Sequence, residues 1–91
     1  MDFTVYILRT SSNTFYTGQT NNLEKRLKQH QSKNSKSAKY LRRFESFELY
    51  YKESCPTRTE AMRREIQIKN LSHKQKEVLA KKVDRLREKD R

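Results

Sequence analysis

An α+β fold, with helices flanking a three-stranded antiparallel sheet, is what this 91-residue sequence predicts. Three observations predict it. Three separate runs are rich in β-branched and aromatic residues. Two Ser/Thr-x-x-Glu/Gln patterns, which mark helix starts, follow the third run. The segments succeed one another as β-β-α-(α)-β-α-α, and the first two strands are close enough to form a hairpin.

The first strand is Phe3 to Leu8, a β-branched and aromatic run with the character of a mostly buried strand. Arg9-Thr-Ser-Ser-Asn13 is a polar turn. Thr14 to Thr17 is the second strand, closed by Gly18, the only glycine in the chain. A lone glycine there points to a special backbone angle or to a close approach. Asn21 or Asn22 caps a helix beginning at Leu23. Leu23 and Leu27 share one face, and the spacing of Arg26 and His30 puts those two on another. Gln31 to Ser37 reads as a loop and Ala38 to Arg43 as a short helix, with Tyr40, Leu41 and Phe44 as apolar contacts. Phe47 to Tyr51 is the third strand. Thr57-x-x-Glu60 opens a helix running to about Leu71. Ser72-x-x-Gln75 opens the last helix, with Val78, Leu79, Val83 and Leu86 on its apolar side. Residues 1–84 form one domain, and 85–91 a charged tail that frays in solvent.

Only 32% of residues are hydrophobic, and Lys plus Arg outnumber Asp plus Glu by 22 to 11, a formal net charge of +11. That balance is the footprint of a polyanion binder, although a solubility surface or a ribosome-associated basic protein has it too. No apolar run is long enough for a membrane span, and the start lacks the pattern of a signal peptide. The single cysteine, Cys55, excludes an intrachain disulfide and reads as structural. A cytoplasmic setting is expected, with a monomer favoured.

Phosphodiester hydrolysis needs a base for water, a cation for the phosphate and usually a metal held by a carboxylate. Tyr6 and Tyr16, on neighbouring strands, can face one another. Arg26 follows on the next helix with His30 one turn on, and a guanidinium grips phosphate with two bonds. Glu65 lies mid-helix among Arg63, Arg64 and Lys69, as a surface ion pair or as a one-carboxylate magnesium site. Singly, each residue is as well explained by packing or solvation. The ordered set carries the reading.

Thr4-Val5-Tyr6, nine residues, then Tyr16-Thr17-Gly18, followed by Arg26, His30 and Glu65, resembles the GIY-YIG nuclease family across roughly residues 3–80. The nearest resemblance is to small bacterial members consisting of the nuclease domain alone. Related catalytic domains occur in excision-repair incision enzymes, homing endonucleases and some restriction enzymes. The resemblance implies a metal-dependent endonuclease, with DNA favoured over RNA as its nucleic acid and damaged, branched or single-stranded DNA, as in repair, among the candidate substrates. It implies that Tyr6 or Tyr16 is the base, that Arg26 binds the scissile phosphate, and that His30 orients the site or shuttles a proton. Glu65 would hold magnesium or manganese, and Gly18 would be structural. The sequence departs from the family pattern at Thr4 and Thr17, and at Gln19, where some members have lysine. If that lysine helps deprotonate a tyrosine, this chain manages without it. Lys33, Lys36, Lys39, Arg42 and Arg43, with Tyr40 for stacking, are candidates to track a nucleic-acid backbone. The alternative function is a non-catalytic nucleic-acid-binding module on the same fold.

Overall fold

The computed structural model describes residues 2–32, 41 and 44–89, with side chains through residue 81. Its elements are β1 (Phe3–Thr10), β2 (Phe15–Thr20), α1 (Leu23–Ser32), β3 (Phe47–Cys55), α2 (Arg58–Lys69) and α3 (His73–Lys89). The strands form one antiparallel sheet in the order β2-β1-β3, so β1 is central. The predicted fold class is the observed one.

Alternation along β1 assigns its neighbouring residues to opposite faces. Val5 and Ile7 join Tyr51, Cys55, Ala61, Ile68 and Ala80 in a core on the side of α2 and α3. Tyr6 and Leu8 join Leu41 in a second core, with Leu23 and Leu27 of α1, Tyr16 and Phe47 packed against it. The sheet is thus the middle layer of three. A register shift between Ile7 and Leu8 inserts one extra residue in β3, Tyr50. The bulge turns Tyr50 onto Phe15, with ring centroids 4.9 Å apart, and Phe15 also stacks on His73 at 4.3 Å.

The helix starts follow local chemistry. Asn22 Oδ1 accepts from the Lys25 N–H at 3.1 Å, which settles the cap of α1 on Asn22. Thr57 Oγ1 accepts from the Glu60 N–H at 3.2 Å at the start of α2. Ser72 and Gln75 make a full reciprocal box before α3, at 3.1 and 2.8 Å. Such a cap contributes about 1 kcal/mol.

Several expectations are corrected. β2 does not close at Gly18 but runs through it to Thr20. α1 includes Gln31 and Ser32, which read as loop. β3 continues four residues past Tyr51, because Lys52, Glu53 and Ser54 are polar yet lie on an edge strand that pairs with Tyr6, Val5 and Thr4. On α3, Val78 is 55% exposed and Ala80 is buried instead. Val83 and Leu86 lie outside the described side chains, and the expected helix over 38–43 lies outside the described residues apart from Leu41, which is buried. Cys55 is a free, buried thiol whose pKa is raised by burial and then by nearby Glu53 and Glu60, which suits a structural residue.

Candidate active site

The β1–β2 register pairs Tyr6 with Gly18 and Leu8 with Tyr16. The two tyrosines therefore share a face but sit diagonally rather than directly opposite, with ring centroids 6.4 Å apart. The place across from Tyr6 belongs to Gly18. A Cβ built there would lie 2.6 Å from the Tyr6 hydroxyl oxygen and 2.8 Å from its ring carbon Cζ. Gly18 does not have a positive φ, so it is required for close approach and not for backbone freedom.

His30 reaches this pocket from α1. Its Nε2 lies 3.0 Å from the Tyr6 hydroxyl in a fully buried pair. Tyr16 closes the cluster, meeting the His30 ring edge-on at 5.6 Å. The expectation that His30 lies on a different face from Leu23 and Leu27 is wrong. Positions 23, 27 and 30 follow the i, i+4, i+7 spacing of one helical stripe, and all three turn toward the sheet. Arg26, one turn before His30, is partly buried, and its Nη1 donates to Gln29 Oε1 at 3.0 Å. The Arg26 guanidinium also acts on Tyr6 by hydrogen bonding and on both Tyr6 and His30 by its charge.

Burial sets the protonation of the pair. The Tyr6 phenol is pushed up to about 12, first by desolvation and then by Tyr16, against an opposing pull from Arg26. His30 is lowered to about 4 by desolvation and by the Arg26 charge. Near neutral pH both are uncharged, and the imidazole accepts from the Tyr6 O–H in its Nδ1–H tautomer and donates to the Tyr6 oxygen in the other. The unfolded chain protonates His30 near 6.5, so its stabilising contribution is complete above that pH and is lost as pH falls toward 4. Tyr6 has the opposite sense, its contribution being lost as pH rises from 10 toward about 12. Denaturant unfolding should therefore show a plateau between those limits. The acid limb, on the order of 3 kcal/mol, should shrink in His30→Phe relative to the parent chain. An unchanged acid limb in that variant would contradict the assignment.

Glu65 stands apart from this cluster, in the layer on the other side of the sheet. On α2, Ala61 and Ile68 form the buried stripe. Arg64 flanks it toward β3, where its Nε donates to Glu53 at 2.7 Å. Helical spacing puts Glu65 on the opposite flank of that stripe, toward β2, with Lys69 Nζ at 3.5 Å. Its charge still reaches Tyr6, where it is among the influences raising the phenol. The set therefore wraps the β2 edge: Tyr6, Tyr16, Gly18, Arg26 and His30 on one side, Glu65 on the other. Among the described residues no three His, Cys, Asp or Glu side chains gather into a metal-binding group. A single partly buried carboxylate fits a hard ion whose other ligands are water and phosphate oxygen.

Lys33, Lys36, Lys39, Tyr40, Arg42 and Arg43 lie outside the described residues. The sequence reading missed Gln29, and it named Arg64 only as a neighbour of Glu65, without its partner Glu53. The Arg26–Gln29 spacing was a readable helical signal, whereas the Arg64–Glu53 pair depends on how α2 docks.

Comparison with known proteins shows the family. A model of the GIY-YIG catalytic domain matches residues 2–78. A UPF0213 protein of Desulfotalea psychrophila is 42% identical over 77 residues, covering 85% of this chain and 69% of its own. A UPF0213 protein of Halobacterium salinarum is 41% identical over 75 residues, 82% of this chain and 95% of its own. The solution structure of a UPF0213 protein from Bacillus halodurans is similar at 40% identity and a TM-score of 0.56, covering 89% of this chain and 84% of that one. A solution structure of an E. faecalis protein gives 30% identity and a TM-score of 0.65, over 92% and 88% of the two chains.

Proposed function

The chain belongs to the GIY-YIG catalytic domain family, and we propose that it is an endonuclease that hydrolyses phosphodiester bonds in DNA with the help of a divalent metal ion. The observation that carries the proposal is the buried Tyr6–His30 pair at 3.0 Å with Arg26 acting on both. A guanidinium beside a buried tyrosine and a neutral histidine is a costly arrangement for a surface that only attracts polyanions. It is what a phosphate-binding reaction centre uses.

Arg26 holds the scissile phosphate and stabilises its growing charge. Tyr6 is not a standing base. With its phenol raised to about 12 and His30 lowered to about 4, both partners favour the neutral form and the proton stays on Tyr6 in the free protein. Tyr6 instead holds its proton and orients the centre, while His30 fixes the Tyr6 hydroxyl. Tyr16 is partly exposed and takes the position facing the attacking water. Glu65 would hold the ion, magnesium or manganese, which supplies charge to the phosphoryl and leaving oxygens when bound. No helix among the described residues is long and apolar enough to cross a membrane, and the net charge of +11 suits a nucleic-acid partner.

The test is cleavage of labelled single-stranded, duplex, nicked and branched DNA and of RNA, with magnesium, with manganese and with chelator. Metal-dependent products on DNA are expected. They should fall by at least about a hundredfold in Glu65→Ala and in Tyr16→Phe, with the circular dichroism unchanged. Binding without cleavage under every condition would replace the enzyme with a nucleic-acid-binding module on the same fold.

A further inference from the structure

The seam between α2 and β2 holds two polar atoms that the reaction centre above does not use. Thr17 Oγ1 and Gln19 Oε1 are buried, and among the described residues neither has a hydrogen-bond partner. The Thr17 residue itself is only 4% exposed. Buried oxygens of this kind are rare unless water or an ion meets them. Positions 17 and 19 alternate with Gly18 on β2, so both side chains project onto the face that α2 covers.

The register fixes the row in which Gln19 lies. Glu53 pairs with Val5, and Val5 pairs with Gln19, so the three form one row across the sheet. Arg64 is anchored to the β3 end of that row by its 2.7 Å contact with Glu53. Glu65, the next residue, falls by helical spacing on the other flank of the Ala61–Ile68 stripe, the β2 side. Strand register and helical spacing therefore assign Gln19 and Glu65 to the same α2–β2 seam.

We infer that Gln19, supported by Thr17, completes the oxygen shell of the divalent ion held by Glu65, as a neutral acceptor toward the ion or its bound water. This rests on the metal-dependent reading above and adds a metal-binding residue to it. Hard cations take carboxylate, amide oxygen and water together. A lysine at position 19 would instead offer the same carboxylate a competing cation. Glutamine changes the position from a charge into a ligand. It leaves Lys69, half exposed and free to swing into solvent, as the cation to be displaced when the ion arrives.

The test is titration of the full chain with Mn²⁺, followed by the loss of the free-ion signal in electron paramagnetic resonance. No substrate is present, so the readout is independent of cleavage. Gln19→Leu should weaken Mn²⁺ binding by about tenfold or more, the usual effect of losing a partner around a metal. Gln19→Lys should weaken it further. Gln19→Glu should tighten it, a sign that misfolding cannot produce. Glu65→Ala should remove the site. If Glu65→Ala removes it while Gln19→Leu and Gln19→Glu bind as the parent does, the role of Gln19 is overturned and the metal reading stands. If the parent chain binds no Mn²⁺, or binds it equally well in Glu65→Ala, both are overturned, beginning with the metal.

Discussion

Gly18→Ala is expected to lower cleavage by at least about a hundredfold and to destabilise the fold by about 1–3 kcal/mol. The added methyl would enter space filled by the Tyr6 hydroxyl and Cζ, at 2.6 and 2.8 Å, with Tyr16 Cε2 at 3.3 Å. Tyr6 cannot yield cheaply. It is 1% exposed, and its hydroxyl is tied to His30. Moving the ring breaks that hydrogen bond and shifts the group beside Arg26, where about an ångström of misplacement is enough for the rate loss. A lower Tm and a lower kcat should therefore appear together. Combining Gly18→Ala with Tyr6→Phe deletes the closest contact, so stability should partly return while activity does not. A Gly18→Ala protein with parental Tm and kcat would show that the pocket is looser than described.

Arg26→Ala should cost about a thousandfold in kcat, the scale of removing a preorganised group that stabilises charge in the transition state. Arg26→Lys should recover only part of it, since an ammonium cannot make the two-point contact of the guanidinium. The chain carries 22 Lys and Arg residues, so losing one should change DNA binding only slightly. The same substitution has a signature outside catalysis. Arg26 helps to hold His30 low and opposes the rise of Tyr6. In Arg26→Ala the His30 titration should move up and that of Tyr6 further up, both readable by NMR. Unchanged cleavage with an unchanged His30 titration would remove Arg26 from the site.

The sheet was readable because β1 and β2 carry their own signal. Phe3 to Leu8 is unbroken β-type sequence, and the hairpin follows from its polar turn. The helix starts were readable because capping is local chemistry at Asn22, Thr57 and Ser72. What escaped the sequence is set by packing. Lys52, Glu53 and Ser54 are strand only because β1 lies beside them. His30 looks like a surface residue near a helix end until α1 docks and turns it onto Tyr6. At the candidate site, the order Tyr6, Tyr16, Gly18, Arg26, His30 and Glu65 pointed to the family that the comparisons show. It did not give the partition of that set across the two sides of the sheet, nor the reason for Gly18.

Ile7 and Leu8 are chain neighbours, yet they belong to different cores. The strand between those cores acts as a partition wall that each side leans on separately. Drift in Ala61, Ile68 or Ala80 can retune how firmly α2 and α3 sit while the tyrosine pocket keeps its shape. Changes around Leu23, Leu27 and Leu41 can reshape that pocket without loosening the other half. A lineage adapting to heat and one adapting to a new substrate would thus draw on different residues of the same small domain. The exception is β2, where Gly18 serves one side and Thr17 and Gln19 the other, so its short span is where the two kinds of adaptation would collide.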